Sequence, residues 1–464
     1  MSQAATAGSL EGLGNKFPPQ IKYIVGNEAC ERYSYYGMRS ILTVFMIQIL
    51  LFQEAEATST YHLFAGACYL FPVLGAFISD RILGKYKTII TLSLVYCAGH
   101  AVLSIWETKM GLYAGLGLIA FGSGGIKPCV SAHVGDQFKA NQQHLLKRVY
   151  ELFYFMINFG SFFSTIITPW TLKHYGASVA FGIPGVLMFL ATIVFWMGRH
   201  QYVHVPPTKG DGHGFLNILS SAFRNMKNRK PGQGFLEGAL KEHSTEQVEA
   251  ARAVLDIAKL FAAISVFWAL FDQHGSSWVI QAMNMDPVFM GVTFEPSQIS
   301  AWNPIMVMGL IPLFSMGVYP FLDKIGYMTT PVRRMTWGMF VAAASFALIG
   351  GLQMVMDGGV QLNVMWQFFP YLVITIAEVM ISITGLEFAY TQAPRSMKST
   401  IMSIWLLTVF FGNMITAYVS KVNVFPVGST GYFMFFAVLM GVFGFIFMYM
   451  GKNYKDLKPS GSSE

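Results

Sequence analysis

Apolar residues run along the chain in blocks of about twenty, separated by short polar gaps, which is the length a helix needs to cross a hydrocarbon core of about 30 Å. Twelve such blocks can be read, at roughly 21–50, 58–80, 87–106, 110–132, 148–172, 177–198, 254–281, 298–320, 331–355, 364–391, 398–420 and 431–451. The longest polar interval, about 200–252, leaves six blocks on either side. The pattern therefore predicts a six-helix bundle over 1–199, a linker over 200–252 and a second bundle over 253–464. An even number of spans puts both ends on one side of the membrane. Arg81, Lys85, Lys87, Lys139, Lys147, Arg148, Lys324, Arg333, Arg334, Arg395 and Lys398 gather in the gaps of one side, while the opposite gaps are poor in cations, so both termini are expected to be cytoplasmic.

Within the linker, Phe215, Ile218, Leu219, Ala222, Phe223 and Met226 recur at helical spacing beside Arg224, Lys227, Arg229 and Lys230. That predicts an amphipathic helix lying on the cytoplasmic face of the membrane, with a solvated connector as the competing reading. Ser244 and Gln247 form a capping-box pattern able to start a helix that runs straight into the seventh span. The gap after span 2 carries Gly75, Asp80, Arg81, Gly84 and Lys85, and the gap after span 8 carries Gly317, Asp323, Lys324 and Gly326. A glycine facing a neighbouring helix, then an acid and a cation at the rim, suits an interface that opens and closes. Twelve spans, two halves and this loop resemble the major facilitator superfamily, in which two six-helix bundles rock about a central site.

Composition narrows the class further. The 464 residues are 54% hydrophobic and 12% charged, with mean hydropathy +0.48, 40 Phe and 28 Met. Ordinary soluble domains carry about twice that share of charge, so water-soluble domains are excluded, as are disordered and collagen-like chains. Four cysteines, Cys30, Cys68, Cys97 and Cys129, all fall in apolar segments and are expected to be buried thiols rather than a disulfide framework. The formal charge of +7 does not point to nucleic acid, because the cations sit in short gaps and not in patches interleaved with stacking aromatics. The polar, small-residue N-terminus has no short apolar core before a cleavage site, and so no cleavable signal peptide is expected.

An ionised side chain in mid-bilayer costs about 2.5–3.5 kcal/mol on insertion scales, so each needs a reason. In span 1, Glu28, Glu31, Arg32, Tyr35, Tyr36 and Arg39 fall on one helical stripe that must face a cavity. Two acids and a base within a turn can share protons, whereas static ion pairs, the competing reading, are weak stabilisers after desolvation. Lys127 lies among Gly122, Gly124, Gly125 and Pro128, which permit close helix approach and are expected to interrupt the helix. Glu151, Tyr154 and Asn158 share a face of span 5, where Tyr and Asn either line a site or bridge helices. In the second half, Asp272 follows Trp268 by one turn, Thr391 follows Glu387 by one turn, and Glu378 falls on the opposite face from Glu387. His62 is either a proton carrier or a structural hydrogen-bonding group. With Arg39 and Lys127 in the first half and Asp272 and Glu387 in the second, a cavity between halves would have opposite poles and suit a zwitterion.

These residues carry a strong resemblance. Glu28-Ala-Cys-Glu31-Arg32-Tyr33-Ser-Tyr35-Tyr36-Gly37 resembles the ExxERFxYYG signature of the proton-dependent oligopeptide transporter family. Gly124-Gly125-Ile-Lys127-Pro128 through Gly135-Asp136-Gln137-Phe138, Phe153 through Ser161, Phe267 through Ser277, Gly385 through Pro394, and Met397-Lys398-Ser399 are similar to its further motifs, in order from span 1 to span 11. The resemblance implies uptake of di- and tripeptides across the cell membrane, most simply a bacterial inner membrane, by alternating access in a single chain. Protons would be the coupling ion and no cofactor would be needed. By similarity, Glu28, Glu31, Arg32, His62 and Asp272 would handle protons; Arg39 and Lys127 would meet the peptide carboxylate, and Glu387 its amino terminus. Tyr36, Tyr69, Tyr154, Asn158, Trp268, Asn303 and Thr391 would line the pocket.

Departures from the pattern are Tyr33 for Phe, Ala132-His133-Val134 before Gly135, and Asp272 where many members have Glu. The 200–252 interval has no room for the two extra helices found in many bacterial members. A membrane enzyme finds no HExxH, GxSxG or P-loop motif to support it. A drug:proton antiporter, or an anion- or nitrate-type relative, is the alternative within the same fold.

Overall fold

The computed structural model describes residues 16–207, 214–226 and 234–454. A helix coincides with every one of the apolar blocks: α1 Ile21–Val44, α2 Glu54–Leu83, α3 Lys85–Ile105, α4 Lys109–Asp136, α5 Leu146–Met197, then, after α6 Phe215–Arg224 in the linker, α7 Thr245–Met283, α8 Gln298–Lys324, α9 Pro331–Asp357, α10 Val364–Gln392, α11 Lys398–Val422 and α12 Thr430–Asn453. Among the described residues, nine helical segments are long and apolar enough to cross a membrane. The 52 residues of α5 would extend roughly 78 Å at 1.5 Å per residue, over twice the hydrocarbon thickness. Gly176, at φ 82°, breaks it between blocks five and six. The chain is an all-α membrane protein; a two-stranded ribbon, Val288–Phe289 with Val292–Thr293, is the sheet among the described residues.

Local chemistry sets where helices begin. The hydroxyls of Thr108, Ser244, Thr330 and Ser429 accept the backbone N–H groups of Gly111, Gln247, Arg333 and Tyr432 and so cap α4, α7, α9 and α12. At Ser244 the Gln247 side chain also returns to the cap N–H, completing the expected capping box, and α7 runs from there into the seventh block.

The chain divides into two compact units. The first comprises 1–53, 67–208 and 290–305; the second comprises 54–66, 209–289 and 306–464. In the first, α4 does not break at Pro128 as the sequence suggested: it is helical from Lys109 to Asp136 with the proline inside. The neighbouring glycines serve close approach instead. A Cβ on Gly75 would land on the Gly125 backbone, and one on Gly122 would lie 2.7 Å from the Tyr96 nitrogen. Gly75→Ala should therefore cost about 1–3 kcal/mol of stability, seen as a lowered unfolding temperature in detergent. The echo in the second unit is only partial, because a Cβ on Gly317 would meet nothing nearer than Leu313 at 3.8 Å. Of the four cysteines, all free, Cys68 and Cys129 are buried as expected, but Cys30 and Cys97 are only half-buried.

The linker is more built than a connector. In the second unit α6 packs against a short helix, Phe235–Lys241, and the start of α7. Arg224 pairs with Glu242 at 2.9 Å, and donation by Asn225 and Ser221 holds that carboxyl below its ordinary range. The apolar stripe is divided: Ile218 and Ala222 are buried, while Phe223 and Met226 remain exposed. The basic positions Lys227, Arg229 and Lys230 lie outside the described residues.

Candidate functional site

In the first unit the charged stripe of α1 is buried, apart from the half-buried Tyr36. Arg32 Nε lies 2.8 Å from Glu28 Oε1 and 2.6 Å from Glu31 Oε2, and all three residues are buried. One guanidinium thus faces two carboxylates, so the three side chains carry a net negative charge when all are ionised, in a closely packed setting where the Lys127 ammonium also acts on Glu31. A Cβ on Gly160 of α5 would lie 3.1 Å from the Arg32 Cβ and 2.9 Å from the Ala29 carbonyl. From α4, Ser123 donates to Glu31 Oε1 at 3.5 Å.

One turn beyond Ser123, Lys127 projects its Nζ toward two rings, 4.5 Å from the centroid of Tyr35 and 4.6 Å from that of Tyr69. Two π faces hold the ammonium without neutralising it, and the Glu31 carboxylate acts on it through the field. Arg39 is buried farther along the α1 stripe, and Tyr36 is half-buried with its ring edge-on to Tyr35 at 5.3 Å. Asn158 is buried and its Nδ2 donates to the Tyr154 carbonyl of its own helix at 2.8 Å, while the Tyr154 side chain is exposed. Asn303 is half-buried in the 290–305 segment of this unit.

A second polar cluster lies wholly in the second unit. His62 is fully buried, with Nδ1 2.7 Å from Asn413 Oδ1 and Nε2 2.8 Å from Ser276 Oγ. Asn413 in turn donates through Nδ2 to Asp272 Oδ2 at 2.6 Å. His62 and Asp272 are thus joined through Asn413 in one hydrogen-bonded line. Trp268 is half-buried, packed edge-on against Phe271 and Trp405, and its indole N–H has no acceptor among the described residues.

Glu387 is exposed and lies 4.0 Å from Arg334 Nη1. Thr391 Oγ1 donates to the Glu387 carbonyl at 2.9 Å. Arg334, read from sequence as a rim charge, is instead turned inward, 4.0 Å above the Tyr319 ring and donating to Thr329 Oγ1 at 3.3 Å. Ser123, Ser276, Asn413 and Arg334 are therefore functional candidates that the sequence reading did not single out. Ser276 lies within the Phe267–Ser277 motif, Ser123 immediately precedes the Gly124–Pro128 one, and Asn413 is an amide in an otherwise apolar run, Phe410-Phe411-Gly412-Asn413-Met414-Ile415.

The sequence profile of the POT family (PTR2) matches residues 86–432. The chain belongs to this family. It is 40% identical over 358 residues to "Peptide transporter 3" of Caenorhabditis elegans, covering 73% of this chain and 51% of that protein. To "Solute carrier family 15 member 2" of Homo sapiens it is 38% identical over 362 residues, covering 73% and 49%. The chain spans about half the length of the curated relatives it matches. Among solved structures, that of the POT family transporter PepTSo superimposes with a TM-score of 0.90 at 40% identity, covering 95% of this chain and 99% of that one.

Proposed function

We propose that this POT-family chain is a secondary transporter that imports di- and tripeptides together with protons. The observation that carries the reading is the buried Glu28–Arg32–Glu31 group, in which one guanidinium serves two carboxylates. A proton taken up there leaves one carboxylate balanced against the one guanidinium, so protonation and packing are linked. The names of the curated relatives support peptides as the cargo. Lys127, held between two rings and one turn from Ser123, is the group we assign to the peptide carboxylate, with Arg39 of the α1 stripe as the second cation. Glu387 and Arg334 provide a pair that an ammonium could open, and Trp268 offers an unmet N–H donor. The roles given to Tyr36, Tyr69, Tyr154, Asn158, Asn303 and Thr391 are shape and hydrogen bonding around the cargo.

The driving force is the proton gradient: each charge crossing 100 mV supplies about 2.3 kcal/mol. We place the chain in the cell membrane, the inner membrane in a bacterial host, with both termini cytoplasmic. All the groups invoked come from one chain, so the unit we propose is a monomer. The test is uptake of a labelled dipeptide into proteoliposomes, acidic outside and negative inside. Accumulation that a protonophore removes, and that other dipeptides but not free amino acids compete for, is expected. Folded protein that accumulates no peptide would redirect the reading to the antiporter or anion alternative.

Lys127→Ala should weaken binding of free dipeptides about tenfold or more, the scale of a lost charge-assisted contact. Dipeptide amides, which lack the carboxylate, should be affected far less. Competition curves for the two ligand types read this directly, and equal losses for both would remove Lys127 from carboxylate recognition.

A further inference from the structure

We propose that a flank of the second unit, along α9, binds one anionic diacylphospholipid, its phosphate at Arg333 and its two acyl chains in separate grooves. The observation is a pair of cavities that meet on the first turns of α9. One, of about 410 Å³, lies between α8 and α9 and is walled by Phe314, Val318, Leu322 and Val341, with Tyr319 and Arg334, the partner of Glu387, also in its lining. The other, of about 710 Å³, lies between α9 and α12 and is walled by Val332, Phe340, Phe445 and Met448. Tyr327, Arg333 and Trp337 line both, forming a ridge between them.

The shape answers a two-tailed molecule with one polar head. From Arg333 to Val341 is eight residues, about 12 Å of helix, so each groove follows a chain well into the apolar layer. Gly451 lets α12 approach α9 at the head of the second groove, where a Cβ would strike the Val332 side chain. Trp337 donates to the Tyr327 hydroxyl at 2.7 Å, and both are exposed, the aromatic arrangement found where headgroups meet tails.

Charge specifies the head. Arg333 and Lys452 line the second groove, and neither groove wall includes an Asp or Glu. Arg333 spends one N–H on the Met328 carbonyl at 2.9 Å, leaving other guanidinium donors outward. Its neighbour Arg334 turns toward Glu387, whereas no acidic partner for Arg333 or Lys452 occurs among the described residues. The helices carrying this ridge lie in lipid, so a phosphodiester with two tails satisfies the cations and the apolar walls together, and basic pockets between spans are where such headgroups bind.

The test uses the full chain purified in detergent and analysed by native mass spectrometry with equal amounts of phosphatidylglycerol and phosphatidylcholine of identical acyl chains. One phosphatidylglycerol should be retained per chain, favoured roughly tenfold or more. Arg333→Gln with Lys452→Gln should remove the preference, and Val341→Trp or Met448→Trp, which fill a groove without touching charge, should lower occupancy. Equal retention of both lipids, or a preference unchanged in the charge variant, overturns the proposal. Displacement of the lipid by glycerol 3-phosphate alone would show a soluble phosphate site and overturn it as well. Should the charge variant fail to fold, unchanged lipid occupancy in the tryptophan variants would be decisive against it.

Discussion

Glu31→Gln is expected to abolish gradient-driven peptide accumulation while leaving peptide-for-peptide exchange across the same vesicles. The substitution is nearly isosteric, and the amide oxygen can still accept from Ser123, which sits 3.5 Å from Glu31 Oε1. What it removes is the second negative charge beside Arg32, now 2.6 Å from Glu31 Oε2 and 2.8 Å from Glu28 Oε1. The remaining Glu28–Arg32 pair is balanced in every state, so the group has no further charge for a proton to cancel. It is locked in the electrostatic condition that protonation would otherwise create. At 100 mV one proton supplies about 2.3 kcal/mol, which is roughly a fiftyfold concentration ratio, and that ratio should collapse to unity. Exchange needs only the loaded, neutral condition and should persist. Parallel measurement of accumulation and counterflow decides the matter: equal loss of both would assign Glu31 to folding or binding and not to coupling.

The α1 stripe was legible because helical spacing alone fixes which side chains share a face, and four charges in an apolar block admit few other arrangements. The capping box at Ser244 was legible for the same reason, being a contact between residues three apart. Other parts depend on which distant elements meet. Asn413 is 351 residues from His62 and Ser276 is 214 away, and no local rule links them. The placement of Glu54–Gly66 with the second unit, which brings His62 to Asn413, is likewise a tertiary fact. At Pro128 a local rule was overridden: the helix continues, with the Cys129 thiol turned to the Gly125 carbonyl at 3.4 Å. In the linker the periodicity located α6, but not the 235–241 helix that packs against it.

Asp272→Asn is expected to lower proton-driven uptake by roughly tenfold to a hundredfold, the effect of losing a hydrogen bond to a buried charge. His62→Gln is expected to add little on top of it. The reasoning follows from donor and acceptor counting along the line. An ionised Asp272 can only accept, so Asn413 must turn its Nδ2 toward it, as observed at 2.6 Å. Asn413 Oδ1 is then left facing His62 Nδ1 at 2.7 Å, and that nitrogen must carry a proton. The tautomer is therefore fixed, and His62 Nε2 becomes the site that gains or loses a proton, 2.8 Å from Ser276 Oγ. A hydroxyl can donate to the neutral ring or accept from the charged one, so the line accommodates both states by rotating a single O–H. An amide at 272 can donate as well as accept, which frees Asn413 to turn over and releases the tautomer. Both substitutions thus break the same device, and a double-mutant cycle on uptake against external pH should be strongly non-additive. Losses that simply multiply would mean that His62 and Asp272 act independently, and the line through Asn413 would then be packing without a part in proton movement.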